Sequence, residues 1–514
     1  MAGRVSNNIT VEPFSPAEFE RLAGASCEGT TDGPAADQVG YVSRYMEWLG
    51  AKSIVVEQHY VDRHFREEFD LYYSRLLNPP TTHCRRLHFF TKNLSREALG
   101  ELLERALDDK EGIESELSGA YLGFVVLRPV PHAVVGRSLL AFREDSPERE
   151  IHATTKLSAH LMGLELSVRG TAFQQQDRAV GACATAAVWM AMSRVARLDG
   201  ARSPSPAFIA RAAARMAGTE GRFLPSRGLT IPQVTDAIRE CGYEPESFRS
   251  APNPGEFLHH LHCYLRSGIP AVLVVARDND EEAHAVTAVG YRLGVVRPEL
   301  EIDLLTRSRR INRIYVHDDR LGPYARATLS VEHLPAQPED IDAVDPTPAV
   351  LSIAIHVDDR HPEDQEAPLR VRCAIIPVSP RLRLPAQDLM AVGWQYERLM
   401  DAAGAGFGAE NETFFLRAGK YLDDLHRLRR AHTFNFDPTA LGQFLGTVAL
   451  PRWVCVSRWW NAGGAPLADF LLDTTDLFRG GEVNRNLLGI VAFDPAVRDT
   501  LRQAASDWRV PSLA

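Results

Sequence analysis

The sequence predicts an α/β (α+β) protein divided into three domains. The chain has 514 residues, 45% of them hydrophobic, which is enough for about two to four ordinary cores. Segments with apolar residues at three-to-four spacing alternate with short apolar runs that are typical of strands. Charged, proline-containing stretches at 143–150 and 338–348 interrupt this pattern. We therefore expect domains at 1–148, 149–343 and 344–514.

The N-terminal domain is predicted to be an α/β unit whose role the sequence does not indicate. Helical spacing covers Pro16–Ala23, Val39–Trp48, Arg63–Leu77 and Ser95–Leu107, and strand-like runs cover Leu87–Thr91, Tyr121–Arg128 and Val134–Phe142. Histidines near 57–64 and 83–88 lack the spacing of a structural metal site, which usually needs four convergent ligands. We expect surface or helix-cap roles for them and no metal.

The most informative feature of the chain is Cys183, which opens an alanine-rich helical segment shortly after three glutamines. The positive end of a helix macrodipole favours the thiolate, the form of cysteine that attacks a carbonyl. A glutamine amide just upstream is suited to donate a hydrogen bond to the resulting oxyanion. Gln175 and Gln176 both meet this description, and the sequence does not choose between them. Cys183 is therefore a candidate nucleophile.

A cysteine nucleophile needs a base and a group that orients the base. Residues 268–291 predict two strands of a hairpin, with His284 at its mouth. A further strand is predicted at Ile311–Val316, and Asp318 follows its end with Asp319 close behind. Each residue alone is more often structural, but the joint order of cysteine, histidine and aspartate at element ends favours catalysis.

This order resembles the papain-like cysteine peptidases, with the closest likeness to their bacteriocin-processing, double-glycine-leader branch. Three lesser features add to it: Gly228–Val234 before a short helix, Ser267–Val272 leading into the histidine hairpin, and the turn from Asp318 to Tyr324. The likeness covers about residues 150 to 340 and not the flanks. It implies a papain-like central domain, with the cysteine on its N-terminal helix and the histidine and aspartate on an antiparallel sheet.

The resemblance implies a cysteine peptidase-like hydrolase that cleaves a peptide or isopeptide bond through Cys183, His284 and Asp318. The same triad supports acyl transfer or glutamine deamidation, because an acyl-enzyme can pass to an amine instead of water. A catalytically silent interaction scaffold is the other alternative. We expect a peptide or protein substrate, and neither a metal nor an organic cofactor.

The C-terminal domain is predicted to be an α+β unit without assignable chemistry. Strands are predicted at Ala349–Val357, Val371–Pro377, Trp453–Trp459, Phe470–Asp476 and Leu487–Phe493, and helical regions at Pro385–Ala402 and Glu412–Arg430. The sequence contains no glycine-rich nucleotide-binding motif. Oligomeric state cannot be deduced from these patterns.

Composition narrows the partners and the compartment. A formal net charge of −10 gives no electrostatic basis for binding nucleic acid or an anionic membrane. The seven cysteines are scattered, which argues against a disulfide framework and favours a reducing cytoplasm. The sequence shows neither a signal-peptide pattern nor a long apolar run, so we expect no membrane association.

Overall fold

The structure is a computed structural model of the chain. It describes residues 8–26, 35–130, 133–143, 148–177, 180, 182–215, 228–277, 283–300, 302, 304–333, 349–357, 365–405, 408–434, 436–475 and 486–513. The described residues form three β-sheets with helices packed between and around them.

The first sheet holds seven antiparallel strands. They are β1 (Ile9–Pro13), β2 (Ser53–Tyr60), β3 (Cys84–Phe90), β4 (Tyr121–Leu127), β5 (Val135–Ala141), β7 (Thr155–Leu161) and β8 (Leu164–Phe173). Their order is β1-β2-β3-β4-β5-β8-β7. β4 is buried along its whole length, as expected for a central strand covered on both faces. The predicted boundary at 148/149 falls inside this sheet, because β8 pairs with β5.

Five helices accompany the first sheet. They are α1 (Pro16–Gly24), α2 (Ala35–Trp48), α3 (Arg63–Leu71), α4 (Arg96–Arg105) and α5 (Lys110–Ala120). Side chains that precede four of them accept hydrogen bonds from first-turn N–H groups, which fixes where the helices begin. These N-caps are Ser15, Asp62, Ser95 and Asp109.

The second sheet holds the middle of the chain and closes on itself. Its strands are β6 (Arg149–Glu150), β9 (Glu244–Arg249), β10 (Ala271–Ala276), β11 (His284–Leu293), β12 (Ile311–Asp318), β13 (Gly322–His333), β14 (Ala349–Ile355) and β15 (Leu369–Val378). Consecutive strands from β10 to β15 are paired, and β10 also pairs with β15. β14 and β15 lie beyond the predicted boundary at 343/344, and the proline-containing stretch at 338–348 lies outside the described residues.

Four helices belong to the middle of the chain: α6 (Cys183–Leu198), α7 (Pro206–Arg215), α8 (Ile231–Glu240) and α9 (Pro254–Arg266). α6 is nearly all buried and includes Trp189, one of the largest fully buried side chains. Its many alanines allow neighbouring backbones to approach closely. Thr287 on β11 donates a hydrogen bond of 3.0 Å to the Ala187 carbonyl of α6. This bond fixes the register of β11 against the helix.

The third sheet and its helices form the C-terminal part. The strands are β16 (Glu410–Arg417), β17 (Trp453–Trp460), β18 (Pro466–Asp473), β19 (Leu487–Ala492) and β20 (Ser512–Leu513), in that order. The helices are α10 (Leu389–Ala402), α11 (Tyr421–Ala431), α12 (Pro438–Thr447) and α13 (Pro495–Trp508). The strands predicted at Phe470–Asp476 and Leu487–Phe493 correspond to β18 and β19, which pair antiparallel.

One predicted helix is half wrong. Glu412–Arg430 was expected to be helical throughout, but its first part belongs to strand β16, and the helical part begins with a 3-10 turn at Ala418–Lys420 that leads into α11. Tertiary pairing decides the difference, since Phe415 pairs with Cys455 on β17. The Phe415 N–H also donates to the Ser267 hydroxyl at 2.7 Å. Local apolar spacing cannot reveal either partner.

A continuous hydrophobic core joins the three sheets, running from Phe19 on α1 through Trp189 on α6 to Trp459 on β17. Two smaller cores cover the outer faces of the first and third sheets. The described part of the chain is therefore an α+β protein built on three sheets. None of the described helices combines the length and apolar character needed to cross a membrane.

Candidate active site

Cys183 is the first residue of α6 and is half-buried. Ala182 precedes it and supplies no side-chain cap, and the first turn of the helix contains no acidic residue. The N–H groups at this helix end therefore have no side-chain cap, and no acid reduces their positive field. This helix end therefore offers backbone donors to an anion.

His284 is the first residue of β11, and an interaction with the Cys183 thiol is among the causes that raise its pKa. The register bond between Thr287 and Ala187 lies three residues beyond His284 and four beyond Cys183, so the helix and the strand bring the two side chains together. Its Nε2 atom lies 3.0 Å from Asp318 Oδ1. That contact leaves Nδ1 as the ring nitrogen able to take the thiol proton.

Asp318 is the last residue of β12 and is fully buried. Besides His284, it accepts hydrogen bonds from the Arg320 N–H at 2.9 Å and the Arg320 guanidinium at 3.3 Å. Burial alone would raise the pKa of Asp318, but the charge and hydrogen bond of His284, with Arg320, hold it well below its usual range. Asp318 is therefore an ionised group that orients His284.

The charges around His284 favour its protonated form. Burial alone would lower the pKa of His284, but Asp318, the Cys183 contact and Asp319 together raise it to about 10. His284 therefore carries a positive charge at neutral pH. An imidazolium at neutral pH stabilises a thiolate beside it.

Asp319 is a second carboxylate whose closeness to the imidazole the sequence did not reveal. Its Oδ1 lies 3.5 Å from His284 Nε2, and the side chain is fully buried. Burial raises the pKa of Asp319 to about 7, and the charge of Asp318 adds to this effect while His284 and Arg320 oppose it. Ligand atoms of His284, Asp318 and Asp319 lie within 4.8 Å of one another, so this group could hold a cation.

The glutamines lie between β8 and α6 and differ in their surroundings. Gln175 is buried, and its Oε1 accepts a hydrogen bond of 3.0 Å from the Val135 N–H of β5. Gln176 is half-buried. The two candidate oxyanion donors are therefore not equivalent: the first takes part in backbone pairing, and the second faces partly outward.

The end of β8 is fixed against the strands that carry the aspartate. His317, next to Asp318, has its Nδ1 atom 3.2 Å from the Ala172 carbonyl. The Tyr324 hydroxyl accepts from the Thr171 N–H at 2.6 Å and donates to the Leu140 carbonyl at 3.2 Å. The strand leading to the glutamines is thereby tied to β13 and to the end of β12.

No protein-family model matches this chain, and no curated protein matches it either.

The remaining cysteines in the described part of the chain do not share the environment of Cys183. Cys84, Cys263, Cys373 and Cys455 are buried. Cys241 is half-buried at the end of α8, and burial raises its pKa to about 12. Their thiols favour the neutral, unreactive form.

The early histidine groups have structural surroundings. Asp62 is the N-cap of α3, which agrees with the helix-cap role expected for the group at 57–64. His64 packs edge-on against Trp189, with ring centres 5.5 Å apart. His88 is fully buried, 2.8 Å from the Tyr121 hydroxyl and 3.1 Å from Glu57, so the expected surface role was wrong for it.

Proposed function

We propose that the chain is a papain-like cysteine hydrolase that cleaves a peptide or isopeptide bond. The observation that carries the proposal is the His284–Asp318 contact of 3.0 Å, together with the thiol at the start of α6, whose interaction with His284 raises the pKa of the imidazole. The proposed nucleophile Cys183, its base His284 and the orienting acid Asp318 thus follow one another in the order that such catalysis needs. Every other cysteine in the described residues lacks such a partner set.

In the proposed mechanism, the proton of Cys183 moves to Nδ1 of His284 and the thiolate attacks the substrate carbonyl carbon. Asp318 stabilises the imidazolium through Nε2. The Cys183 N–H at the uncapped helix end and a glutamine amide stabilise the oxyanion. His284 then donates its proton to the leaving amine as the carbon–nitrogen bond breaks, and a water molecule activated by His284 hydrolyses the thioester.

Gln176 is the better candidate for the amide donor. The side chain of Gln175 is buried and accepts from the Val135 N–H, whereas Gln176 is half-buried. A donor that meets substrate needs access to the cleft, and a residue built into strand pairing has little freedom to provide it. The proposed substrate is a peptide or protein, and the proposed compartment is a reducing one such as the cytoplasm, because the thiol must stay reduced.

The test is alkylation by iodoacetamide at about pH 6, with the modified cysteine identified by peptide mass spectrometry. We expect Cys183 to react at least about 10-fold faster than Cys241, and His284→Ala to remove that advantage, since the imidazolium stabilises the thiolate. His333→Ala, at an exposed site on β13, is the matched histidine control and should leave the rate unchanged.

A Cys183 no faster than Cys241 would contradict the hydrolase and support a silent scaffold. Where Cys183 is fast, mass spectrometry of peptides incubated with the protein identifies the acyl acceptor. Hydrolysed products support peptide cleavage, and a new amide bond or a deamidated glutamine contradicts it in favour of acyl transfer or deamidation.

A further inference from the structure

Several residues that precede Cys183 are hydrogen-bonded to side chains of the N-terminal part of the chain. We call residues 174–177 the glutamine segment. Gln174, its first residue, is buried, and its Nε2 donates a hydrogen bond of 2.8 Å to Glu68 Oε1. Glu68 lies on α3 of the N-terminal part and is fully buried. A helix far away in sequence therefore determines where the segment begins.

Arg128, which follows β4, extends this contact along the segment. Its Nη1 lies 3.0 Å from Glu68 Oε2 and 3.5 Å from Asp177 Oδ2. Its Nη2 donates to the Gln175 carbonyl at 3.1 Å, and its Nε donates to the Ala133 carbonyl at 3.1 Å. One fully buried guanidinium thus contacts the segment on both sides of Gln176.

Asp177 completes the arrangement at the end nearest the cysteine. Its Oδ1 accepts a hydrogen bond of 2.6 Å from the Val180 N–H, three residues before Cys183. We call Glu68, Arg128, Gln174 and Asp177 the glutamine-segment network. Gln174, Gln175 and Asp177 each have described contacts with this network or with β5. Gln176 is the residue of the segment that lies between these contacts.

Buried charges of this kind are costly to desolvate and are poor evidence of added stability. Their value lies in geometry, because one rigid, planar guanidinium that donates to several acceptors at once tolerates little displacement of any of them. Catalysis by an oxyanion donor needs that rigidity, since a shift of about 1 Å can cost about 100-fold in rate. The network therefore matches the demand for a fixed donor.

We propose that Glu68 and Arg128 are positioning residues that fix Gln176 at the oxyanion, so that the N-terminal part is a working portion of the active site. This inference rests on the proposed hydrolase function. It predicts that disturbing the network impairs reactions that pass through an oxyanion and leaves the reactivity of the thiolate itself unchanged.

Two probes separate these properties. Iodoacetamide forms a sulfur–carbon bond as the carbon–iodine bond breaks, iodide leaves, and no oxyanion develops. With p-nitrophenyl acetate the thiolate adds to the carbonyl, an oxyanion forms, and the carbon–oxygen bond breaks to release p-nitrophenolate and a thioester. The ratio of acylation to alkylation rates at Cys183 therefore measures oxyanion stabilisation alone, and peptide mass spectrometry confirms the modified residue.

The variants are Glu68→Gln and Gln174→Leu, with Gln176→Ala as the reference for loss of the donor. Glu68→Gln replaces one acceptor by an amide nitrogen, so either Gln174 or Arg128 loses its partner. Gln174→Leu removes one hydrogen bond at similar volume and is the milder change. The control is Glu57→Gln on β2, which alters another carboxylate of the N-terminal part, paired with Arg86 and His88.

We expect the ratio to fall about 10-fold or more in both network variants and in Gln176→Ala, and to stay unchanged in Glu57→Gln. An unchanged ratio in the network variants, or in Gln176→Ala, overturns the inference. Equal loss of both rates also overturns it, because the network would then support the thiol and its base. If wild-type Cys183 is not activated toward iodoacetamide, the proposed function fails, which is a separate result.

Discussion

The molecule contains two networks of buried charged residues, one of which holds an irregular segment while the other joins regular secondary-structure elements. The glutamine-segment network joins α3 and the end of β4 to the four residues of the glutamine segment, which lead toward the candidate nucleophile. A second group, which we call the C-terminal network, joins regular elements to one another. It consists of Arg266, Glu412, Asp424, Arg458 and Asp469.

The C-terminal network is centred on Arg458 of β17, which is bidentate to Asp469 at 2.7 Å for both bonds and lies 2.9 Å from Asp424. Arg266 on α9 reaches Asp424 at 3.2 Å and Glu412 at 3.5 Å. These described contacts tie the third sheet to α9. The comparison teaches that a similar set of buried charges can either join two packed units or fix a short irregular segment for chemistry.

The largest expected effect comes from removing each central guanidinium. Arg458→Met and Arg128→Met each leave buried acids without their cation, so each should lower the free energy of unfolding by about 3–5 kcal/mol. Denaturant titration measures this loss. The acylation-to-alkylation ratio at Cys183 should fall only in folded Arg128→Met. An equal fall in Arg458→Met would show that the networks do not differ as we describe.

An intermediate effect separates the networks by pH. Burial raises the pKa of Glu68 to about 7, with Asp177 adding to the rise and Arg128 opposing it. Its folded-state pKa exceeds the unfolded value, so its contribution is present below about pH 4.5 and is lost as the pH rises through 7, at about 1.4 kcal/mol per unit. Unfolding free energies of wild type minus Glu68→Gln, measured between about pH 4 and pH 8, should therefore fall with rising pH.

The matched variant in the C-terminal network has the opposite sign. Burial alone would raise the pKa of Asp424, but Arg458, Arg266 and Arg427 hold it well below its usual range. Its contribution is present above the unfolded pKa near about 4 and is lost as the pH falls below it. The difference between wild type and Asp424→Asn should stay flat above about pH 5. A rise or fall there would contradict the assigned ionisation.

The smallest expected effect concerns one tyrosine hydroxyl near each network. Tyr421 donates to Asp469 at 2.9 Å, and Tyr421→Phe should cost about 1 kcal/mol without changing the reactions of Cys183. Tyr324→Phe leaves the buried Thr171 N–H without its described acceptor and should cost about 1–3 kcal/mol. We also expect a few-fold lower acylation ratio in Tyr324→Phe, because Thr171 lies on the strand that leads to the glutamines. Thermal unfolding and the two probes test both variants, and no difference between them in acylation would weaken the comparison.

The sequence predicted the parts of the site that lie at the ends of helices and strands. The alanine-rich run after Cys183 predicted the start of α6, and the apolar runs around His284 and Asp318 predicted β11 and β12. Those predictions needed only local periodicity and strand signals. The contact of His284 with Asp318 is confirmed by geometry, while the catalytic roles stay predictions.

What the sequence could not reveal depends on distant partners. Glu68 lies 106 residues before Gln174, and no spacing rule connects a helix residue to a later loop at that separation. Strand β16 was missed for the same reason, since β17 and Ser267 stabilise it. The environment of Asp319 likewise follows from the packing of the folded chain, although its position beside Asp318 is plain in the sequence.

The closure of the second sheet has a consequence for synthesis. β10 pairs with β11 and also with β15, so the sheet that bears His284 and Asp318 is complete only when residues 369–378 are available. Cys183 leaves the ribosome long before that point. A nascent chain thus carries its thiol well ahead of the finished framework around its base, and a ribosome-bound fragment that stops before β15 is expected to be a weaker nucleophile than the full chain.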